Sequence, residues 1–323
     1  MNVSKPHASF KPYLVLAIGI LAASSSAFLI TFARQEGMPA IAIAALRLSM
    51  ASLVLAPLAL VRARAELRSL QPRDLALALV SGFFLGLHFA FWISSLDYTS
   101  VMSSVVFVST NPLFVAVASV IVLHEPLRRG TFVGIAVAAA GGALVGLTDL
   151  GHAGSGSLQG DALALAGAVA VSGYLIVGRS LRGRLSLFSY ITLVYSTAAL
   201  VLLALAWAMG VSLTGYSPWA YVLIVLLAAG PQLIGHSSYN WALRYLSATM
   251  ITVTILAEPI GATVLAVPIL GQVPEPIQLA GGALILAGIY LAARAETMTD
   301  DDGRKTKAKS IPSSVVGPPS GTL

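Results

Sequence analysis

Four ionisable side chains stand inside long apolar runs of this chain: Arg47, His88, His236 and Glu258. At the middle of a bilayer such a group costs about 2.5–3.5 kcal/mol on insertion scales, so it turns toward a protein interior. Glu258 is followed by Pro259, which removes a backbone donor and leaves the carbonyl of Ile255 without its helical partner. A carboxylate beside freed backbone groups can bind a cation, a proton or a solute ammonium. It can equally stay neutral and hydrogen-bonded as a packing lock. Gln232, His236 and Asn240 recur at i, i+4 and i+8, with Tyr239 alongside and Pro231 one residue earlier. A polar stripe on an apolar helix lines a cavity or bonds a neighbouring helix. His88 and Trp92 sit at i, i+4 beside Phe91. A histidine there can relay protons, and an indole can cover a cationic or flat solute or simply face lipid.

Asn111-Pro112 forms a second polar-proline pair and is read as cavity-lining, with Pro112 and Pro259 as helix kinks. Arg47 lies about 10 Å into its run at 1.5 Å per residue. It can snorkel to the outer surface, pair with a carboxylate, or hold a solute carboxylate. Ser24-Ser25-Ser26, Tyr174 and Tyr195 suit either a solute path or packing, and Trp219 fits an interfacial belt.

The elements that position these residues follow from composition. Of 323 residues, 57% are hydrophobic and 10% charged, with mean hydropathy +0.87. Soluble domains carry about 25% charged residues, so apolar side chains here must face lipid as well as each other. Soluble enzymes, nucleic-acid binders and disordered scaffolds are excluded on that ground. The absence of cysteine removes disulfides, Cys-ligated zinc and a thiol nucleophile. No phosphate-binding Gly-rich loop occurs, no histidine pair has metal-ligand spacing, and no cofactor or metal is expected.

A membrane-spanning helix takes roughly 20 apolar residues. Ten such blocks are read at 13–33, 40–61, 74–95, 101–123, 131–148, 161–178, 188–209, 218–239, 247–270 and 277–294. Continuous apolarity argues against a β-barrel, which alternates. The first block resembles a signal peptide, but its apolar run continues through Phe32 and is read as an uncleaved helix. With the N-terminus inside, 17 of the 19 Lys and Arg residues fall on the cytoplasmic face, which predicts N-in/C-in orientation. Residues 295–323 read as a disordered cytoplasmic tail.

The halves align without a gap at an offset of 147 residues. Across 96–144, 13 of 49 positions are identical, among them Pro112/Pro259, Tyr98/Tyr245, Ser100/Ser247, Gly134/Gly281 and Gly141/Gly288. Asp97 is matched by Arg244 and Arg128 by Glu275, so equivalent loops carry opposite charge, as five-helix halves of opposite orientation require. Inverted repeats of this kind mark secondary transporters, with the substrate near the midplane. The fold class is therefore all-α integral membrane, with ten helices in two inverted five-helix repeats at 13–148 and 161–294.

Leu46-Arg47-Leu48, Leu96-Asp97-Tyr98-Thr99-Ser100 leading to Asn111-Pro112-Leu113, and Leu123-His124-Glu125-Pro126 followed by Gly134 form one set of motifs. Leu243-Arg244-Tyr245-Leu246-Ser247-Ala248, Glu258-Pro259 and Gly281 to Gly288 form the other. In this doubled order, over about residues 13–294, the chain resembles the EamA branch of the drug/metabolite transporter superfamily. One departure is Gly271-Gln272, where that family usually has Gly-Glu. The resemblance implies an inner-membrane permease that exports small metabolites, often amino acids, and not an enzyme. The competing reading is an intramembrane acid–base enzyme or lipid-handling protein using His88, His236 and Glu258. Expected partners are a small solute and membrane lipids, with no nucleic acid, and a state of monomer or weak dimer.

Overall fold

The structure, a computed structural model, describes residues 10–99, 104, 107–125, 127–147, 158–270 and 276–309. Helices account for its regular structure, with no strand among the described residues. In chain order they are α1 (Lys11–Ser24), α2 (Ser26–Gln35), α3 (Ala40–Arg62), α4 (Arg64–Arg68), α5 (Pro72–Ser95), α6 (Asn111–Ala118) and α7 (Arg129–Leu147). They continue with α8 (Leu158–Arg182), α9 (Leu187–Ala208), α10 (Pro218–Leu227), α11 (Ser237–Ala242), α12 (Ala248–Ile255), α13 (Glu258–Leu270) and α14 (Pro276–Lys309). Two π-helical stretches, Ser119–Leu123 and Ala228–His236, extend α6 and join α10 to α11.

Among the described residues, seven stretches are long and apolar enough to cross a bilayer, and Asn111–Leu123, Arg129–Leu144 and Leu279–Ala295 are shorter apolar helices. The fourth expected block starts outside the described residues, as do Ser100, Pro126, Gly271-Gln272 and Glu275. α14 runs to Lys309, and residues 310–323 of the expected tail lie outside the described residues.

Local chemistry sets the helix starts. The Ser186, Ser217 and Ser247 hydroxyls each accept from a backbone N–H three residues on, capping α9, α10 and α12. α6 starts at Asn111 and α13 at Glu258, the same position at the 147-residue offset, each after a turn and each with proline second. Proline is tolerated in a helix's first turn and disfavours helical backbone just before it. The backbone agrees in detail. Thr110 N–H donates to Phe107 O at 3.2 Å and Leu113 N–H to Thr110 O at 3.0 Å, while Ala257 donates to Thr254 O and Ile260 to Ala257 O, both at 3.0 Å. At both expected kinks a turn of i→i+3 bonds interrupts the α-helical ladder.

The halves meet reciprocally where α7 crosses α14. A Cβ built on Gly134 would stand 2.6 Å from Gly288 O, and one on Gly141 would stand 2.6 Å from Gly281 O. Gly134 and Gly281 are repeat equivalents, as are Gly141 and Gly288, so each touches the mate of the other. That is the contact pattern of a two-fold axis. The helices run antiparallel with backbones in contact, as small residues permit.

Arginines hold equivalent carbonyls at opposite ends of the bundle. At one end Arg34 donates to Leu96 O at 2.8 Å and pairs with Asp97. At the other, Arg179 donates to Leu243 O at 2.8 Å and to Glu125 Oε1 at 3.0 Å. Leu96 and Leu243 are again equivalents. α8 spans the distance between these ends, with Gly160 against Thr99 and Arg179 against Leu243. Beside the second end, Glu66 on α4 accepts from the Ser186 N–H at 2.7 Å, the Ser186 hydroxyl at 2.5 Å and the Ser189 hydroxyl at 2.6 Å. Partial burial pushes its carboxyl up, but these donors outweigh it and hold it below its ordinary range.

Two outcomes follow. Gly288→Ala, whose methyl would meet the Ala138 backbone at 2.5 Å, lowers stability by about 1–3 kcal/mol. Gly142→Ala, facing open space, is neutral or slightly stabilising; melting of the detergent-solubilised protein compares them. Because the folded Glu66 carboxyl titrates below its free value, its contribution is complete above that free value and is lost as pH falls through the folded one. Glu66→Gln therefore melts below the parent at neutral pH, with the gap closing in acid.

Candidate functional site

Where α6 and α13 begin, the bundle encloses a cavity of about 140 Å³. Its wall maps onto itself at the 147-residue offset: Val108 with Ile255, Ser109 with Leu256, Asn111 with Glu258, Trp92 with Tyr239, Ser24 with Val171, and Ala27 with Tyr174. These six pairs account for twelve of its twenty lining residues, so the cavity lies where the two halves meet about the two-fold axis.

Seven of the nine sequence-predicted cavity residues line it: Glu258, His236, Tyr239, His88, Trp92, Asn111 and Tyr174. Gln232 and Asn240 do not; both are fully buried in the protein beside it. The correction has a local cause. The reading at i, i+4, i+8 assumed α-helical phase, but Ala228–His236 is π-helical. Bonding at i+5 turns Pro231 and His236 to the cavity and takes Gln232 off it. Asn240 instead accepts from the Tyr174 hydroxyl at 2.5 Å through Oδ1, and its amide donates to the Tyr195 hydroxyl at 3.2 Å. Tyr195 is therefore packing.

Arg47 also lines the cavity, and the outer-surface alternative for it is overturned: it is 1% exposed. Its Nε donates to Gln232 Oε1 at 3.0 Å and one terminal nitrogen to Ser26 Oγ at 3.1 Å, while the guanidinium stands 4.4 Å above the Phe89 ring. The guanidinium is large, and burying it among partners on two other helices prevents it from reaching outward. Phe89 meets His236 edge-on at 5.2 Å, His236 lies 5.6 Å from Tyr239, and the Tyr239 hydroxyl donates to Glu258 Oε1 at 2.8 Å. An aromatic floor thus runs from the cation to the carboxylate.

Beside Phe89 on α5, His88 and Trp92 stack almost parallel, 5.9 Å between ring centres. The His88 Nδ1 is bonded to Gly167 O at 2.9 Å, which fixes the ring. Ser24 ties the break to the first helix, its hydroxyl contacting both Ile20 O at 2.7 Å and Glu258 O at 2.9 Å. Side-chain bonding back to the preceding turn bends helices, and α1 gives way to α2 at Ser25. The Trp92 Nε1, Asn111 Oδ1 and His236 Nδ1 atoms are buried without partners. Ser49, Glu125, Thr192 and Gln232 carry such atoms off the cavity wall, but these three belong to it, where a solute or water can bond them. Among the described residues no three His, Asp or Glu side chains gather as a metal site would need. Phe89 and the Trp92–Tyr239 pair were missed at the sequence level, although the offset that matched Asn111 to Glu258 also matches Trp92 to Tyr239.

The EamA-like transporter family matches the chain twice, over residues 11–147 and 158–294. A protein of Streptantibioticus cattleyicolor named "Probable terminal-alkyne amino-acid exporter" is 29% identical over 187 residues, covering 58% of this chain; the match spans 62% of that relative's length. An Archaeoglobus fulgidus protein named "Uncharacterized transporter" is 28% identical over 259 residues, 79% of this chain and 88% of its own. A solved crystal structure superposes with a TM-score of 0.70 at 22% identity, covering 87% of this chain and 96% of that one, which shows a shared fold. Two family matches, one on each side of the reciprocal glycine crossing and together covering most of the chain, make this protein a member of the EamA-like transporter family.

Proposed function

We propose that the protein is a secondary transporter of ten membrane-crossing helices, N-in/C-in in the inner membrane, that exports amino acids or related amphipathic metabolites by alternating access. The observation that carries this is the cavity on the two-fold axis, walled by equivalent residues of two broken helices. Discontinuous helices at a repeat interface are where secondary transporters bind solute near the midplane. Ten crossings are favoured by the three shorter apolar helices at 111–123, 129–144 and 279–295, two of which cross each other at the glycines. The two halves, 13–148 and 161–294, then have opposite orientation, and the basic residues set which end faces the cytoplasm. The name of the Streptantibioticus relative supports amino acids as the solute class.

Within this reading Glu258 and Asn111 present a carboxylate and an amide at equivalent half-helix starts. His88, His236, Trp92, Tyr174 and Tyr239 form the wall, while Gln232 and Asn240 act from behind it. Glu258 is the coupling group, because it is the cavity's carboxylate and its side chain is held by the neutral Tyr239 hydroxyl. Counterflow of labelled amino acids in proteoliposomes, with and without a pH gradient, tests it. Wild type accumulates intact label saturably and responds to the gradient; Glu258→Gln exchanges label but no longer responds. Gradient-independent exchange unchanged in the variant would reduce Glu258 to packing, and a chemically altered product would overturn the transporter reading.

A further inference from the structure

Arg47 is a buried cation with no carboxylate in contact, although Glu258 of the same cavity acts on it electrostatically. Among the described residues no carboxylate lies within 4.0 Å of it, and its side-chain partners are two neutral oxygens and the Phe89 face. Burying an unpaired charge costs several kcal/mol, and in a crossing helix it marks function. The other fully buried arginine, Arg182, shows the contrast. It stands in the last turn of α8 and donates to two backbone carbonyls, Asn240 O and Leu185 O, away from the cavity. Such a cation is stabilised by the carbonyl ends around it. Arg47 lies within α3 and lines the cavity.

The repeat shows that packing does not demand a guanidinium there. The equivalent of Arg47 is Val194, that of Gln232 is Leu85, and both are fully buried. The equivalent of Ser26 is Gly173. The same helix positions are therefore filled by apolar or small residues in the other half, and the polar setting of Arg47 is built once. A guanidinium has five N–H donors in a planar fork. Two are engaged here, which leaves three for a ligand.

We propose that Arg47 is the receptor for a carboxylate of the transported solute, held in the cavity by the remaining arm of its fork. This rests on the cavity being the transport site. A planar monoanion suits one guanidinium. A phosphate dianion would face the Glu258 carboxylate at the far end of the aromatic floor without a second cationic side chain among the lining residues. Gln232 and Ser26 are positioning residues: each fixes the guanidinium plane from a different helix, and Phe89 supports its face. The unpartnered Trp92 N–H, Asn111 oxygen and His236 nitrogen then receive the rest of a polar solute.

The test uses the full chain in proteoliposomes and in detergent, with four probes sharing one ring: L-phenylalanine, 3-phenylpropanoate, L-phenylalaninamide and 2-phenylethylamine. Exchange of each label and ligand-induced thermal stabilisation are both read. The two carboxylates bind roughly 10- to 100-fold more tightly than the amide and the amine, the range expected for a charge-assisted bond. Arg47→Lys keeps that order with weaker binding. Arg47→Met combined with Gln232→Leu, which leaves no stranded partner on Gln232, collapses the preference to less than about threefold. Equal binding of amide and acid by wild type overturns the proposal, as does a carboxylate preference that survives the double substitution. Absence of binding by either carboxylate overturns it too. If the double variant does not fold, the wild-type order and the lysine variant decide. If 3-phenylpropanoate binds through Arg47 while labelled phenylalanine does not exchange, the amino-acid reading falls and the carboxylate receptor stands.

Discussion

A helix broken inside hydrocarbon frees backbone groups that no water can reach, so the break is tolerated only where protein or a cavity covers it. Everything central to this structure follows from having two such breaks, at Asn111-Pro112 and Glu258-Pro259. Each must be buried, and the two-fold relation buries both in one place. The first helix bends at Ser25 to meet the second break, with Ser24 bonded to the Glu258 carbonyl. The cavity is the space enclosed by those irregular segments, and its polarity comes from the same residues that end and restart the helices.

The crossing of α7 and α14 is the complementary constraint. It brings backbone against backbone at four glycines. Such a contact cannot yield without separating the helices, because interfaces packed at that density are bistable more than deformable. One side of the axis therefore presents a close-packed joint, while the other presents polar atoms without partners. Equivalent residues nevertheless sit in different surroundings, and Arg47 against Val194 is that divergence in one pair.

Much of this was legible in the residues. The repeat offset placed Asn111 opposite Glu258, and the glycine pairs that counted as identities became the crossing. Proline after a polar residue located both breaks, though as kinks. The errors share a physical origin. Gln232 and Asn240 were assigned by α-helical phase, and nothing in Ala228-Ala229-Gly230-Pro231 distinguishes a π-helical stretch from an α-helix with a proline in it. For Arg47 the sequence left three alternatives open, because its depth fits both an outward and an inward path for a long side chain; its partners on other helices turn it inward. Long-range bonds such as Arg34 to Leu96 have no local signal at all.

Those arginine contacts differ in what they join. Arg34 and Arg179 each clasp a carbonyl at the same place in its own half, each with one acidic neighbour, Asp97 at one end and Glu125 at the other. Asp97 belongs to the same half as Arg34, whereas Glu125 comes from the half opposite Arg179. One clasp therefore ties a half to itself, and the other ties the two halves together.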